Sequence, residues 1–226
     1  MSRTALLLAL PLLLTAATAR AQSSCSSDGR QPPTALVERF LNADCASCWT
    51  AADAARPAPR ELAIDWVVPG ARGDDAPLAA VARRDALARL ESLRRSRPAG
   101  AESVRSVRQG PAAGTLRVAH GLAFNGYIGT SIELRRPRPG AWSAWLALVE
   151  TLPAGTEGSA VERNLVRNLL EVPWPPGAPR LRESRPMNIP DGANPERLRV
   201  VGWVQDARGV IRSIAQSVCA PPEPTR

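Results

Sequence analysis

Ala35-Leu-Val-Glu-Arg-Phe-Leu-Asn-Ala-Asp-Cys45-Ala-Ser-Cys48-Trp49 decides how this chain is read, because an apolar run over 35–41 leads directly into a Cys-x-x-Cys that opens a helix. Redox dithiols stand in this position: the helix N-terminus stabilises the first thiolate, and the spacing lets the second sulfur close on it. In that order Cys45 is the nucleophile and Cys48 the resolving thiol. Asp44 works against strong activation, since a carboxylate one residue away favours the neutral thiol. The chain has no Lys, and its single histidine, His120, is distant in sequence from the pair. Cys45 and Cys48 therefore point either to thiol–disulfide exchange or to a structural disulfide in a non-catalytic module.

The preceding residues set the expected compartment. Met1-Ser-Arg3 is a positive start, Ala5 to Ala17 is apolar, and Ala19-Arg20-Ala21 fits an A-x-A cleavage site. Residues 1–21 thus read as a secretory signal peptide cut between Ala21 and Gln22, which predicts a periplasmic or secreted protein. No run approaches the roughly 20 apolar residues of a membrane-spanning helix, and no transmembrane segment is expected. Gln22-Ser23-Ser24 ahead of Cys25 lacks the apolar and small residues of a lipid-attachment box.

Four cysteines follow the cleavage site, an even number that predicts disulfides in an oxidising compartment. Three connectivities exist on paper. If Cys45 pairs with Cys48, Cys25 and Cys219 remain as a candidate structural disulfide that closes nearly the whole exported chain. Such a staple contributes about 5 kcal/mol on a loop-entropy account. The rival arrangement leaves Cys25 in a Ser-rich arm as an accessible thiol able to exchange with the Cys45/Cys48 pair.

Along the chain, 35–41 and 62–68 read as strands and 49–55 as a helical turn or two, halted by Pro57 and Pro59. Leu78, Val81, Ala82, Ala86, Leu90 and Leu93 form a helical stripe across 77–95, with the arginines placed on the opposite face. This β-α-β-α order predicts an α/β unit with parallel pairing. After a polar stretch over 96–114, the segments 115–124, 128–135, 142–151, 197–205 and 209–216 read as strands, with a hairpin turn at 206–209. Residues 161–172 fit a helix by spacing and a strand by neighbourhood. The division expected is signal peptide 1–21, flexible arm 22–33, α/β domain 34–100, β-sandwich-like domain 101–219 and disordered tail 220–226.

Composition narrows the function classes. All 29 basic residues are Arg, against 21 acidic residues, for a net charge of +8. The clusters Arg83-Arg84, Arg94-Arg95-Arg97 and Arg135-Arg136-Arg138 are not interleaved with aromatics, so they read as solvated faces and no nucleic-acid partner is expected. Zinc wants four ligands, and beyond Cys45 and Cys48 only Cys25, Cys219 and His120 are available, all distant in sequence; no metal or other cofactor is expected. With one histidine, no G-x-S-x-G and no phosphate loop, triad and nucleotide chemistry find no support. Trp142, Trp145, Trp174 and Trp203 read as core.

Leu36-Val-Glu-Arg-Phe-Leu-Asn-Ala-Asp-Cys45-Ala-Ser-Cys48 resembles the opening of a bacterial family of secreted thioredoxin-like proteins of unknown function, whose motif runs V-V-E-L-F-T-S-Q-G-C-S-S-C. Ile64-Asp-Trp66 stands where that family has V-D-Y-W, and the segments 163–170, 200–205 and 209–215 are similar to its later strands. The chain departs from it at Ala63, where the family has His, and it has no Thr-Pro-Gln. The resemblance implies an α/β thioredoxin-like N-terminal domain, abbreviated if need be, followed by a mostly antiparallel β-sandwich-like C-terminal domain. It implies Cys45 and Cys48 as the catalytic pair. Partners would be other exported proteins, met by thiol exchange or by surface binding.

Overall fold

The computed structural model describes residues 25–54, 56–178 and 180–219. The expected signal peptide over 1–21, its expected cleavage site and the expected disordered tail over 220–226 lie outside the described residues.

Among the described residues, twelve strands and two short α-helices follow in order: β1 (Cys25–Ser26), β2 (Ala35–Asn42), α1 (Ala46–Thr50), β3 (Glu61–Val68), α2 (Arg84–Ser92), β4 (Ala101–Val107), β5 (Thr115–Phe124), β6 (Tyr127–Arg135), β7 (Trp142–Leu152), β8 (Arg163–Trp174), β9 (Arg182–Asn188), β10 (Leu198–Asp206), β11 (Ile211–Gln216) and β12 (Val218–Cys219). They form a seven-stranded sheet ordered β11-β10-β7-β8-β3-β2-β4 and a five-stranded sheet ordered β12-β1-β5-β6-β9. In the larger sheet, β2–β3 and β3–β8 are parallel, and the other pairs are antiparallel.

β2 is buried along its whole length and β3 over nearly all of its own, as expected of parallel strands covered on both faces. Leu36, Phe40, Leu62, Ile64 and Trp66 form one core with Ala86 and Leu90 of α2 and with Trp145 and Trp203. On the other side of β7 and β10, Leu146, Leu148, Val200 and Val204 pack against Leu116, Val118, Ile128 and Ile132 of the smaller sheet. Gly202 lets the two sheets approach: a Cβ there would lie 2.5 Å from Val118 Cγ1.

Helix α2 is docked by a buried charge. Arg89 donates to both carboxylate oxygens of Glu38, at 2.8 and 2.6 Å, while Trp66 Nε1 donates to Glu38 Oε1 at 3.2 Å. The same guanidinium lies 4.9 and 5.0 Å from the ring centroids of Trp145 and Trp203, which are stacked at 5.9 Å and face each other in register across β7 and β10. Arg89 thus belongs to the buried face of α2, whereas the sequence reading placed every arginine of this stretch on the polar face. The helix is also shorter than 77–95. Leu78 N–H donates to Ala43 O and Arg83 N–H to Val67 O, and these bonds tie the preceding residues to the sheet ends in turns of 3-10 helix.

The expected α/β thioredoxin-like N-terminal domain followed by a separate β-sandwich-like domain is corrected by this architecture. About 47% of the described chain is strand and 12% helix, and the two α-helices have five and nine residues, too little to cover both faces of an α/β sheet. The parallel pairing of β2 with β3 is present, but β3 next pairs with β8 and β2 with β4, so one sheet takes strands from both halves. The second sheet covers β7 and β10, while Trp49 and residues of the 76–82 segment pack on Leu41 and Val67 of β2 and β3. β4 and β9 fell in stretches without a strand signal because they are sheet-edge strands with few buried side chains. The ambiguous 161–172 stretch is largely β8.

Glu38→Ala leaves the Arg89 guanidinium buried without its carboxylate and is expected to lower the unfolding free energy by about 3–5 kcal/mol in urea titrations. Glu38→Leu combined with Arg89→Met should recover most of that loss. Parent-like stability of Glu38→Ala would remove this pair as the anchor of α2.

Candidate functional site

Cys45 and Cys48 stand just past the C-terminal end of β2, which is parallel to its neighbour β3. Asn42 shapes the exit from the strand: its side chain donates to Pro98 O at 2.9 Å and accepts from Asp44 N–H at 2.9 Å. Asp44 in turn accepts from the amides of Ala71 and Arg72, at 2.7 and 3.3 Å, so its carboxylate ties the loop after β3 to the cysteine turn. Cys45 caps α1, its sulfur accepting from Cys48 N–H at 3.2 Å, and the two cysteines are joined in a disulfide. Both are half-buried.

A buried arginine holds the far end of this turn. Arg163 donates to Cys48 O at 3.1 Å, Trp49 O at 2.9 Å and Ser159 Oγ at 3.0 Å, and it pairs with Asp65 at 3.1 Å. Asp65 also pairs with Arg39 at 2.6 Å and accepts from Asn164 N–H at 2.7 Å. Trp49 closes the arrangement, its indole donating to Glu157 O at 2.7 Å and its ring lying 5.3 Å from the Arg163 guanidinium carbon. A cleft of about 480 Å³ opens beside Cys48, lined by Arg39, Leu41, Ser47, Glu102 and Arg163 among others.

The second disulfide joins Cys25 to Cys219 in the five-stranded sheet. Cys25 is paired in register with Cys219 on one side and with His120 on the other. Ligand atoms of these three residues lie within 4.8 Å of one another, the one such group among the described residues. His120 is 5% exposed; its Nδ1 is 2.9 Å from Gly121 O, and its Nε2 is buried without a hydrogen-bond partner. Burial depresses its pKa below the ordinary imidazole value, against the opposing effect of the Gly121 carbonyl.

The structure thus brings together Cys45 with Cys48 and Cys25 with Cys219, and it adds His120 to the second pair. Arg39, Asp65 and Arg163 were not singled out from sequence. Their signal was present as charges inside apolar strand runs, since a charge in such a run must be paired when the strand is buried. The arginines of the 94–97 and 135–138 clusters are exposed, whereas Arg83 is half-buried. Trp145, Trp174 and Trp203 are buried, and Trp142 is half-buried. No helix is long and apolar enough to cross a membrane among the described residues. No family model matches the chain, and no curated protein matches it.

The depressed pKa of His120 sets a pH dependence. As pH falls through about 6.5 the unfolded chain takes up a proton before the native one, so stability present above that pH is lost below it. The thermal midpoint is expected to fall between pH 7.5 and pH 5, and to fall less in His120→Asn. Superimposable profiles for the two proteins would remove His120 as the cause.

Proposed function

We propose that this chain is an exported, non-catalytic binding or structural module, and that Cys45–Cys48 is a structural disulfide within it. The observation that carries this reading is the attachment of the cysteine turn to the core: Arg163, paired with buried Asp65, grips the carbonyls of both Cys48 and Trp49. Asp44, the charge nearest to Cys45 in sequence, is committed to two loop amides, and the chain's one histidine faces the other disulfide. A thiolate at Cys45 would therefore draw on a five-residue helix and a single amide, with neither Lys nor His to stabilise it. Two disulfides in one chain and the likeness of 36–48 to a secreted family support export to the periplasm or beyond. The cleft beside Cys48, with Arg39 and Arg163 in its wall, is the surface offered to a partner.

Thiol labelling across glutathione and dithiothreitol redox buffers, with peptide mass spectrometry to assign each cysteine, tests the reading. Cys45 and Cys48 are expected to stay bonded until the poise falls below about −300 mV. Interconversion between roughly −120 and −270 mV would overturn it in favour of thiol–disulfide exchange.

A further inference from the structure

The Cys25–Cys219 disulfide has a neighbour that a plain staple does not need. Cys25, Cys219 and His120 stand in one row across β12, β1 and β5. A carbonyl oxygen only accepts, so the contact with Gly121 O assigns the proton of the neutral ring to Nδ1. That leaves the Nε2 lone pair buried and unpartnered, on a ring that offers a nitrogen within 4.8 Å of both sulfurs. An imidazole whose Nδ1–H is held by a backbone carbonyl while Nε2 is open is the arrangement found in histidines that bind metals.

We propose that reduction of Cys25–Cys219 turns these three residues into a three-coordinate site for copper(I), with two thiolates and the His120 Nε2 as ligands. A dithiol supplies the two electrons: it becomes a cyclic disulfide, and the protein bond becomes two thiols. Copper(I) then displaces both thiol protons, which leave to solvent. The ligand set suits a soft monovalent ion that is satisfied by three donors, whereas zinc would need a fourth. The fold permits the adjustment, because the sulfurs must separate from bonding distance to straddle a metal. β12 has two residues, pairs with β1 alone and carries Cys219 exposed at the sheet edge.

The test uses the full chain with Cys45→Ser and Cys48→Ser, which removes the other dithiol. After reduction with a phosphine under nitrogen, the protein is titrated with copper(I) held by a chromophoric chelator. One equivalent is expected to transfer to the reduced chain and none to the oxidised one. Loss of an outer-shell partner alone weakens metal sites about 10–100-fold, so His120→Ala should weaken transfer by at least about 100-fold. X-ray absorption of the loaded protein should show two sulfurs and one nitrogen around copper. Equal transfer with His120→Ala, no transfer to the reduced chain, or copper with sulfur ligands only would each overturn the proposal. If the Cys45→Ser, Cys48→Ser chain does not fold, the same titration of the reduced parent against Cys25→Ser, Cys219→Ser decides it. The parent must then hold one equivalent more, and equal stoichiometry rejects the site.

Discussion

A carboxylate at Glu38 lies in the middle of the most buried of the described strands, and its hydrogen-bond partners converge on it from β3 and α2. An isolated charge at such a place would cost several kcal/mol. Arg89 meets it with a two-pronged hydrogen bond, Trp66 adds an indole N–H, and the stacked Trp145 and Trp203 rings receive the back of the guanidinium. One side chain thereby fixes where α2 lies and joins β2 to β7 and β10, which are not its sheet neighbours.

The same logic recurs around Asp65 of β3. Asp65 binds Arg39 from the neighbouring strand and Arg163 from β8, and it also takes the amide of Asn164. β3 and β8 are paired in parallel at this level, Asp65 opposite Leu165, so the carboxylate reinforces the junction between strands from the two halves of the chain. The consequence reaches the surface. Because Arg163 also holds the carbonyls of Cys48 and Trp49, the geometry of the cysteine turn is inherited from the buried ion network rather than from the short helix alone.

The two disulfides then act on different scales. Cys45–Cys48 closes a turn between residues already in local contact. Cys25–Cys219 joins positions 194 apart and binds the first and last described strands of the smaller sheet to each other. In a loop-entropy view the long closure restricts the unfolded chain far more, at about 5 kcal/mol against about 2 kcal/mol for the short one. The row that places His120 beside the long bridge arises from antiparallel register alone.

Local pattern in the sequence was enough to mark the cysteine turn and to place most strands, because alternation and apolar runs report directly on which residues are buried. Thr115–Phe124 matches its expected bounds, and the strands over 35–42, 61–68 and 142–152 differ from theirs by a residue at an end. The parallel pairing of β2 and β3 was likewise legible, since a strand, a turn of helix and a second strand leave little other choice. What covers those strands was not. A helical stripe at 77–95 suggested helices over an α/β sheet, but the first part of that stripe is bonded to the ends of β2 and β3 and only nine residues wind as helix. Which partners Glu38, Asp65 and His120 find, and that β3 meets β8, depend on residues from 26 to 100 positions away brought together by sheet order. Sequence spacing carries the periodicity of single elements; only the packed structure decides which buried charge meets which, because that choice is made across strands and not along them.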